Sequence, residues 1–228
     1  MASDFDPADI RHDAPVLIVG LGRFGAATAE ELDQLGRDVL AVDQDAALVQ
    51  EWAEKVTHTV QADATQLEAL HQIGATDFQI AVVAVGSSIE ASVLITANLV
   101  ELGVAQIWAK AVSRSHGKIL SRIGAHHVIY PEAEAGERIA RLVGGRMLDF
   151  IQFDDDFVLV KMHAPRQICD KSLAESGVRT VHKVTVVGIK RPGEPFTHAT
   201  EDTVVHEDNV IVVSGTDAHV QRFASLDD

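Results

Sequence analysis

The sequence predicts an α/β protein: a doubly wound parallel sheet over its first two-thirds, followed by a small C-terminal α+β domain. Three observations carry this. Short, continuously apolar runs alternate with amphipathic stretches up to Pro131, the pattern of strands buried on both faces and linked by helices. A glycine-rich turn, Gly20-Leu21-Gly22-Arg23-Phe24-Gly25, follows the first apolar run and opens the first amphipathic stretch. Beyond Pro131 the rhythm gives way to one longer helical stretch and then to strand-rich sequence.

The elements follow in order. Val16-Leu17-Ile18-Val19 is the first strand, and a helix spans residues 24–35. Strands are expected at 39–42, 57–61, 80–84, 107–109 and 127–130, with helices at 46–54, 66–73, 89–102 and 114–122 between them. Gly36, Gly74, Gly103 and Gly124 each stand just past a helical pattern, where a left-handed C-cap is wanted. Thr65 with Glu68 and Ser87 with Glu90 have capping-box spacing at two helix starts. After Pro131 a helix is expected over 132–147, interrupted by Gly144-Gly145, then strands at 158–162, 183–189 and 210–213. Short helices are expected near 172–176 and 218–223, with turn chemistry at Arg191-Pro192-Gly193. The chain thus divides into an acidic tail at 1–14, expected to be disordered, and a nucleotide-binding domain at 15–135. A connecting helix at 136–150 and the α+β domain at 151–225 complete it.

Composition narrows the function classes. A net charge of −15 argues against a nucleic-acid partner, which requires a basic face, and against an anionic membrane surface. It leaves room for a single nucleotide, which needs only a local set of donors. No apolar run approaches the roughly 18 residues of a membrane-spanning helix, and the polar, acidic first residues are neither a signal nor a transit peptide. The single cysteine, Cys169, forms no intrachain disulfide framework and fits a reducing compartment.

The glycine turn supplies the site. Between a buried strand and a helix, Gly20 permits the tight turn, Gly22 lets backbone approach a phosphate, and Gly25 lets the helix pack on the strand, as in a Rossmann domain. Phosphate then meets free N–H groups and the positive end of the helix dipole. Asp43, 23 residues after Gly20, closes the second strand; with Gln44 beside it, it is placed to hold ribose hydroxyls and repel a 2′-phosphate. Further strand ends carry Asp63-Ala64, Val85-Gly86-Ser87 and Lys110. Asp63 is placed either to contact an adenine amino group or to cap the following helix beside Thr65, and Lys110 either to meet a phosphate or to sit as a solvated lysine. Arg23, beside Phe24, departs from simple dinucleotide dehydrogenases, which place a small or apolar residue there. A permanently charged guanidinium suits a terminal phosphate, which favours ATP or ADP over NAD.

Catalytic machinery is not legible. The small second domain has scattered histidines, His163, His182, His198 and His206, without ligand or dyad spacing. His126-His127 are adjacent on a strand and point to opposite faces. An NAD-dependent oxidoreductase and an NADH-binding sensor remain the alternatives on residues alone.

With Ala41-Val42-Asp43, Ala62-Asp63-Ala64-Thr65, Ile107-Trp108-Ala109-Lys110 and Tyr130-Pro131-Glu132, the glycine turn closely resembles the TrkA-type proteins. These carry domains regulating potassium conductance (RCK domains) and serve as cytosolic regulatory subunits of bacterial Ktr potassium transporters. The resemblance covers residues 16–224. It implies a non-enzymatic subunit that dimerises, builds an octameric ring and sits peripherally on the inner face of the cell membrane under a KtrB-like potassium-translocating subunit. It also implies that ATP activates and ADP inactivates. Arg23 would reach the ATP terminal phosphate across the dimer, Asp43 would hold ribose, and Glu132 would help bind a divalent cation or sodium at the dimer interface. The C-terminal domain resembles one that binds cyclic di-AMP in related subunits. Val178 and Arg179 match that site; Thr185 stands where some relatives carry asparagine, and Ala199-Thr200 lacks the expected proline.

Overall fold

The computed structural model describes residues 13–143, 147–153 and 156–226. The expected disordered tail falls largely outside them, as does the Gly144-Gly145 interruption. The chain forms two compact units, one ending at Glu134 and the other beginning at Ala135.

The first unit is a six-stranded, wholly parallel sheet. Its strands are β1 (Val16–Val19), β2 (Val39–Asp43), β3 (His58–Gln61), β4 (Ile80–Val83), β5 (Gln106–Lys110) and β6 (His127–Ile129). The order is β3-β2-β1-β4-β5-β6. Helices α1 (Arg23–Gln34), α2 (Ala46–Trp52), α3 (Leu67–Gln72), α4 (Ile89–Glu101) and α5 (Arg114–Ile123) make the crossovers. All four residues of β1 are buried, because helices cover the sheet on both sides. Leu17 and Val19 join one core with Leu70, Ile95, Leu99, Ile107 and Leu120. Val16 and Ile18 join the opposite one with Ala29 and Trp52. The strand order reverses between β1 and β4, and that reversal opens the crevice where ligands of such sheets bind.

The second unit contains most of α6 (Pro131–Val143), which begins in the first. Its main sheet is antiparallel, ordered β11-β10-β13-β8-β7, from β7 (Met147–Gln152), β8 (Phe157–His163), β10 (Thr185–Lys190), β11 (Thr197–His198) and β13 (Val210–Thr216). A two-stranded ribbon pairs β9 (Lys171–Ser172) with β12 (Val204–Val205). Helices α7 (Leu173–Ser176), α8 (Val178–Val181) and α9 (Asp217–Ala224) complete the unit. Burial alternates along β8 and β13, so one sheet face carries the core of Val158, Val160, Met162, Ile211, Val213, Val220 and Phe223. The fold is therefore a Rossmann-like sheet plus a small α+β unit.

Several details depart from the sequence reading. The helix expected to reach Met147 ends by Val143 among the described residues, and Met147 begins a strand pairing with β8. Amphipathic periodicity there is shared by a half-buried edge strand, which hid β7 inside the connecting segment. The strand expected from Lys183 begins at Thr185, because Lys183 adopts φ +60°. Neither capping box forms as expected. The Thr65 hydroxyl donates to Asp63, and α3 starts after Gln66, which has no side-chain cap bond. At α4 the cap is Ser88, accepting from the Ala91 N–H at 3.1 Å, rather than its neighbour Ser87. The capping box that does form, Ser172 with Glu175, starts α7. The four glycines expected to end helices all have positive φ.

The two adjacent histidines have separate structural uses: the Nδ1 of His126 accepts from the Ile107 N–H at 3.1 Å, and His127 stacks on Trp108 with ring centroids 3.8 Å apart. Cys169 is half-buried against the C-terminal core. No described helix is long and apolar enough to cross a membrane.

Candidate functional site at the carboxyl ends of the strands

The site begins where β1 ends. Gly20 turns the chain at φ +103°, packed so closely that a Cβ would lie 3.1–3.3 Å from Val85 and Ala84. Gly25, on the first turn of α1, has still less room: a Cβ would stand 1.9 Å from the Gly20 carbonyl oxygen. Gly22 differs. It is extended, at φ −65° and ψ 178°, and a Cβ there would meet nothing within 4 Å. Sterics inside the protein do not require glycine at that position. The backbone there is exposed and open from outside. No side chain caps Gly22's end of α1, and its first turn holds no acidic residue, which leaves the dipole's positive end facing the crevice.

Asp43 closes β2 and reaches back to the turn. Its Oδ2 accepts from the Leu21 N–H at 2.7 Å, and its Oδ1 accepts from the Asp45 N–H at 2.9 Å. The carboxylate therefore shapes the turn as well as bordering it. Gln44 is exposed beside it, and its carbonyl accepts from Gln61 Nε2 at 3.1 Å. After β3, Asp63 Oδ1 accepts from the Thr65 hydroxyl at 2.7 Å and the Thr65 N–H at 3.0 Å. Those bonds, the hydroxyl first, hold its carboxyl below the usual aspartate range. Asp63 therefore closes the turn ahead of α3 and does not cap the helix itself, whose N-cap is Gln66.

Asn98 on α4 is a site residue that sequence patterning passed over. Its amide donates to the carbonyls of Thr65, at 2.9 Å, and Ala64, at 3.4 Å, pinning the loop that carries Asp63. Ala64 itself is buried in the core. A polar residue inside an apolar helix face is the only signal that could have singled Asn98 out.

Lys110 ends β5. Its Nζ lies 2.7 Å from Glu132 Oε1 and 5.9 Å from the centroid of the Phe24 ring. Phe24 packs partly against the core beneath the turn. Glu132, on the first turn of α6, has its carboxyl held below the usual glutamate range, chiefly by the Lys110 hydrogen bond, with the Arg23 charge contributing. The fold thus brings the whole set expected at the strand ends, from Gly20 through Glu132, to one edge of the parallel sheet. Arg23 is exposed there.

Val178, Arg179 and Thr185 lie in the other unit. Val178 is buried in its core, Arg179 is exposed on α8, and Thr185 is half-buried at the start of β10. Among the described residues, no group of three or more His, Cys, Asp or Glu side chains is placed to hold a metal ion.

Residues 16–131 match the model of the TrkA-N domain and residues 157–227 that of the TrkA-C domain. The chain is 35% identical to Ktr system potassium uptake protein A of Bacillus subtilis (strain 168), over 90% of this chain and 93% of that one. It is 32% identical to Ktr system potassium uptake protein A of Vibrio alginolyticus, over 89% and 93% respectively. Among solved structures, the GsuK channel bound to NAD superposes with a TM-score of 0.66 at 18% identity, over 97% of this chain. This chain spans 40% of that channel's length, and the likeness is one of fold.

Proposed function

This chain belongs to the family of Ktr system potassium uptake proteins built from a TrkA-N and a TrkA-C domain, and from that premise we propose that it is a nucleotide-sensing regulatory subunit. In this reading it gates a membrane-embedded potassium-translocating partner from the cytoplasmic side, ATP favouring the conducting state and ADP the closed one. It acts as homodimers assembled into an octameric ring, and does no chemistry on the nucleotide. The observation that supports the reading is the open backbone at Gly22, where β1 ends at the switch point of the sheet, with Arg23 next in the turn and Asp43 bonded to the Leu21 N–H.

The roles follow from charge and position. The open Gly22 backbone and the α1 terminus take the diphosphate. Asp43 takes the ribose hydroxyls, Gln44 borders the same end, and Asp63 with Ala64 borders the base. Arg23 meets the terminal phosphate, the chemical difference between ATP and ADP. Glu132 supplies a carboxylate to a cation near the phosphates. A ligand shifts a two-state equilibrium only by its differential affinity for the two states, so discrimination belongs to the residues that meet that phosphate.

Calorimetry with ATP, ADP, NADH and cyclic di-AMP tests this. ATP and ADP are expected to compete for one site, and Arg23→Ala to narrow the difference between them while ADP still binds. Equal loss of both affinities overturns the assignment of Arg23. Preference for NADH favours the second reading, an NAD-binding sensor, which the NAD-bound channel of the same fold supports. Cyclic di-AMP binding that is lost in Arg179→Ala would place a second site in the C-terminal unit.

A further inference from the structure

Lys110 and Glu132 make an unequal pair. The lysine side chain is 12% exposed and the glutamate 63%. The ammonium sits in a recess beside the Phe24 ring and over Gly86, where an added Cβ would lie 3.4 Å from Nζ. A cation so withdrawn from water needs an anion. Here the anion reaches in from the solvent side, on the first turn of α6. Glu132 also feels the charge of Arg23, within the glycine turn. The two cations at the mouth of the phosphate site therefore act on one carboxylate, and that carboxylate comes from the protein.

We propose that Glu132 is a tethered anion that competes with the nucleotide's phosphate for Lys110, so that a di- or triphosphate binds by displacing it. The inference rests on the nucleotide reading above and concerns how that site is regulated. It has two consequences. Affinity becomes a difference between the phosphate–lysine and the glutamate–lysine interactions, which favours charge-dense phosphates over nucleosides. And the displaced residue lies on Pro131–Val143, the helix in which the chain passes from the first unit to the second. Phosphate occupancy is thereby converted into the release of that helix's first turn. A released Glu132 is also the carboxylate free to take a cation.

The test is calorimetric titration of the full chain with ADP and with adenosine, in a chelator so that no divalent cation intervenes. Glu132→Gln is expected to tighten ADP binding by about three- to tenfold and to leave adenosine unchanged. Glu132→Ala, removing the group altogether, should match it. Glu137→Gln removes the same charge from an exposed position further along α6 and should shift ADP affinity by less than about twofold. In the Lys110→Met background the gain from Glu132→Gln should disappear. If the unaltered protein binds ADP but both Glu132 variants bind it no better, this inference alone is overturned. A gain that persists undiminished without Lys110 overturns it too, as an effect of net charge. If neither the unaltered protein nor any variant binds ADP, the nucleotide reading falls and this inference with it.

Discussion

At the residue scale, Gly22 and Gly25 differ in what requires a glycine. Gly25 is required by the fold, since a Cβ would stand 1.9 Å from backbone that cannot move aside. Gly25→Ala is expected to cost about 3 kcal/mol or more as an overpacked site, read as a large drop in the melting temperature. Gly22 adopts a conformation open to any residue, with nothing near its absent Cβ. Gly22→Ala should change stability by no more than about 0.5 kcal/mol while weakening ADP binding at least tenfold in calorimetry. A Gly22→Ala protein that binds ADP normally would remove the phosphate from this turn. The motif and the packing role of Gly25 were legible in the sequence; the room left at each absent Cβ was not, because it depends on where the Gly20 carbonyl stands and on empty space beside Gly22.

At the element scale, the informative contact is between α4 and the loop after β3. Asn98 and Thr65 are 33 residues apart, and the amide that joins them holds the loop that carries Asp63. Asn98→Ala leaves two carbonyls without this donor and is expected to destabilise the first unit by about 1–2 kcal/mol. It should also weaken ATP and ADP equally, because the loop follows β3 whereas Arg23 follows β1; a selective loss of one nucleotide would contradict that expectation. Helix starts teach the same lesson. Thr65 with Glu68 has the spacing of a capping box, yet the helix begins two residues later and the Thr65 hydroxyl donates to Asp63 instead. Local spacing names candidates, and the backbone position at which the helix begins decides which one caps: α3 begins at Leu67, with Gln66 and not Thr65 at its N-cap. β7 was missed for a related reason: its short, half-buried pattern reads as a continuation of α6 until the pairing with β8 is known.

At the scale of the whole molecule, acid should act first on the nucleotide-binding unit. Burial pushes the imidazoles of His116 and His126 below the usual histidine value of 6.5. His116 is 1% exposed, and its Nδ1 accepts from the Val112 N–H. Protonation would remove that acceptor and bury a charge. Below 6.5 the unfolded chain binds these protons more readily than the folded one, so stability falls as pH drops through that window and is fully present above it. Glu132 and Asp63, depressed below their usual 4.5 and 3.8, add a further loss at lower pH. All four groups lie in the first unit, as do both tryptophans, Trp52 and Trp108. Thermal unfolding followed by tryptophan fluorescence should therefore show a midpoint that drops from pH 7 to pH 5. His116→Asn and His126→Asn together should flatten that dependence; an unchanged slope would exclude these imidazoles as its source.

The parallel sheet, its glycine turn and the acidic residue closing the second strand were determined by sequence alone. Each rests on local physics: continuous apolar runs buried on two faces, and a strand-to-helix turn that only small residues permit. The C-terminal strands at β8 and β13 were legible for the same reason, by alternation. What only the tertiary structure decided are the meetings between distant residues. Lys110 and Glu132 are 22 residues apart and each has an ordinary surface reading; they become one device because β5 and α6 converge at the same edge of the sheet. Asp43 became a support for the turn because β2 lies beside β1. Periodicity records which face of an element is buried. It does not record what stands across from it, and at this site that is where the charge balance is set.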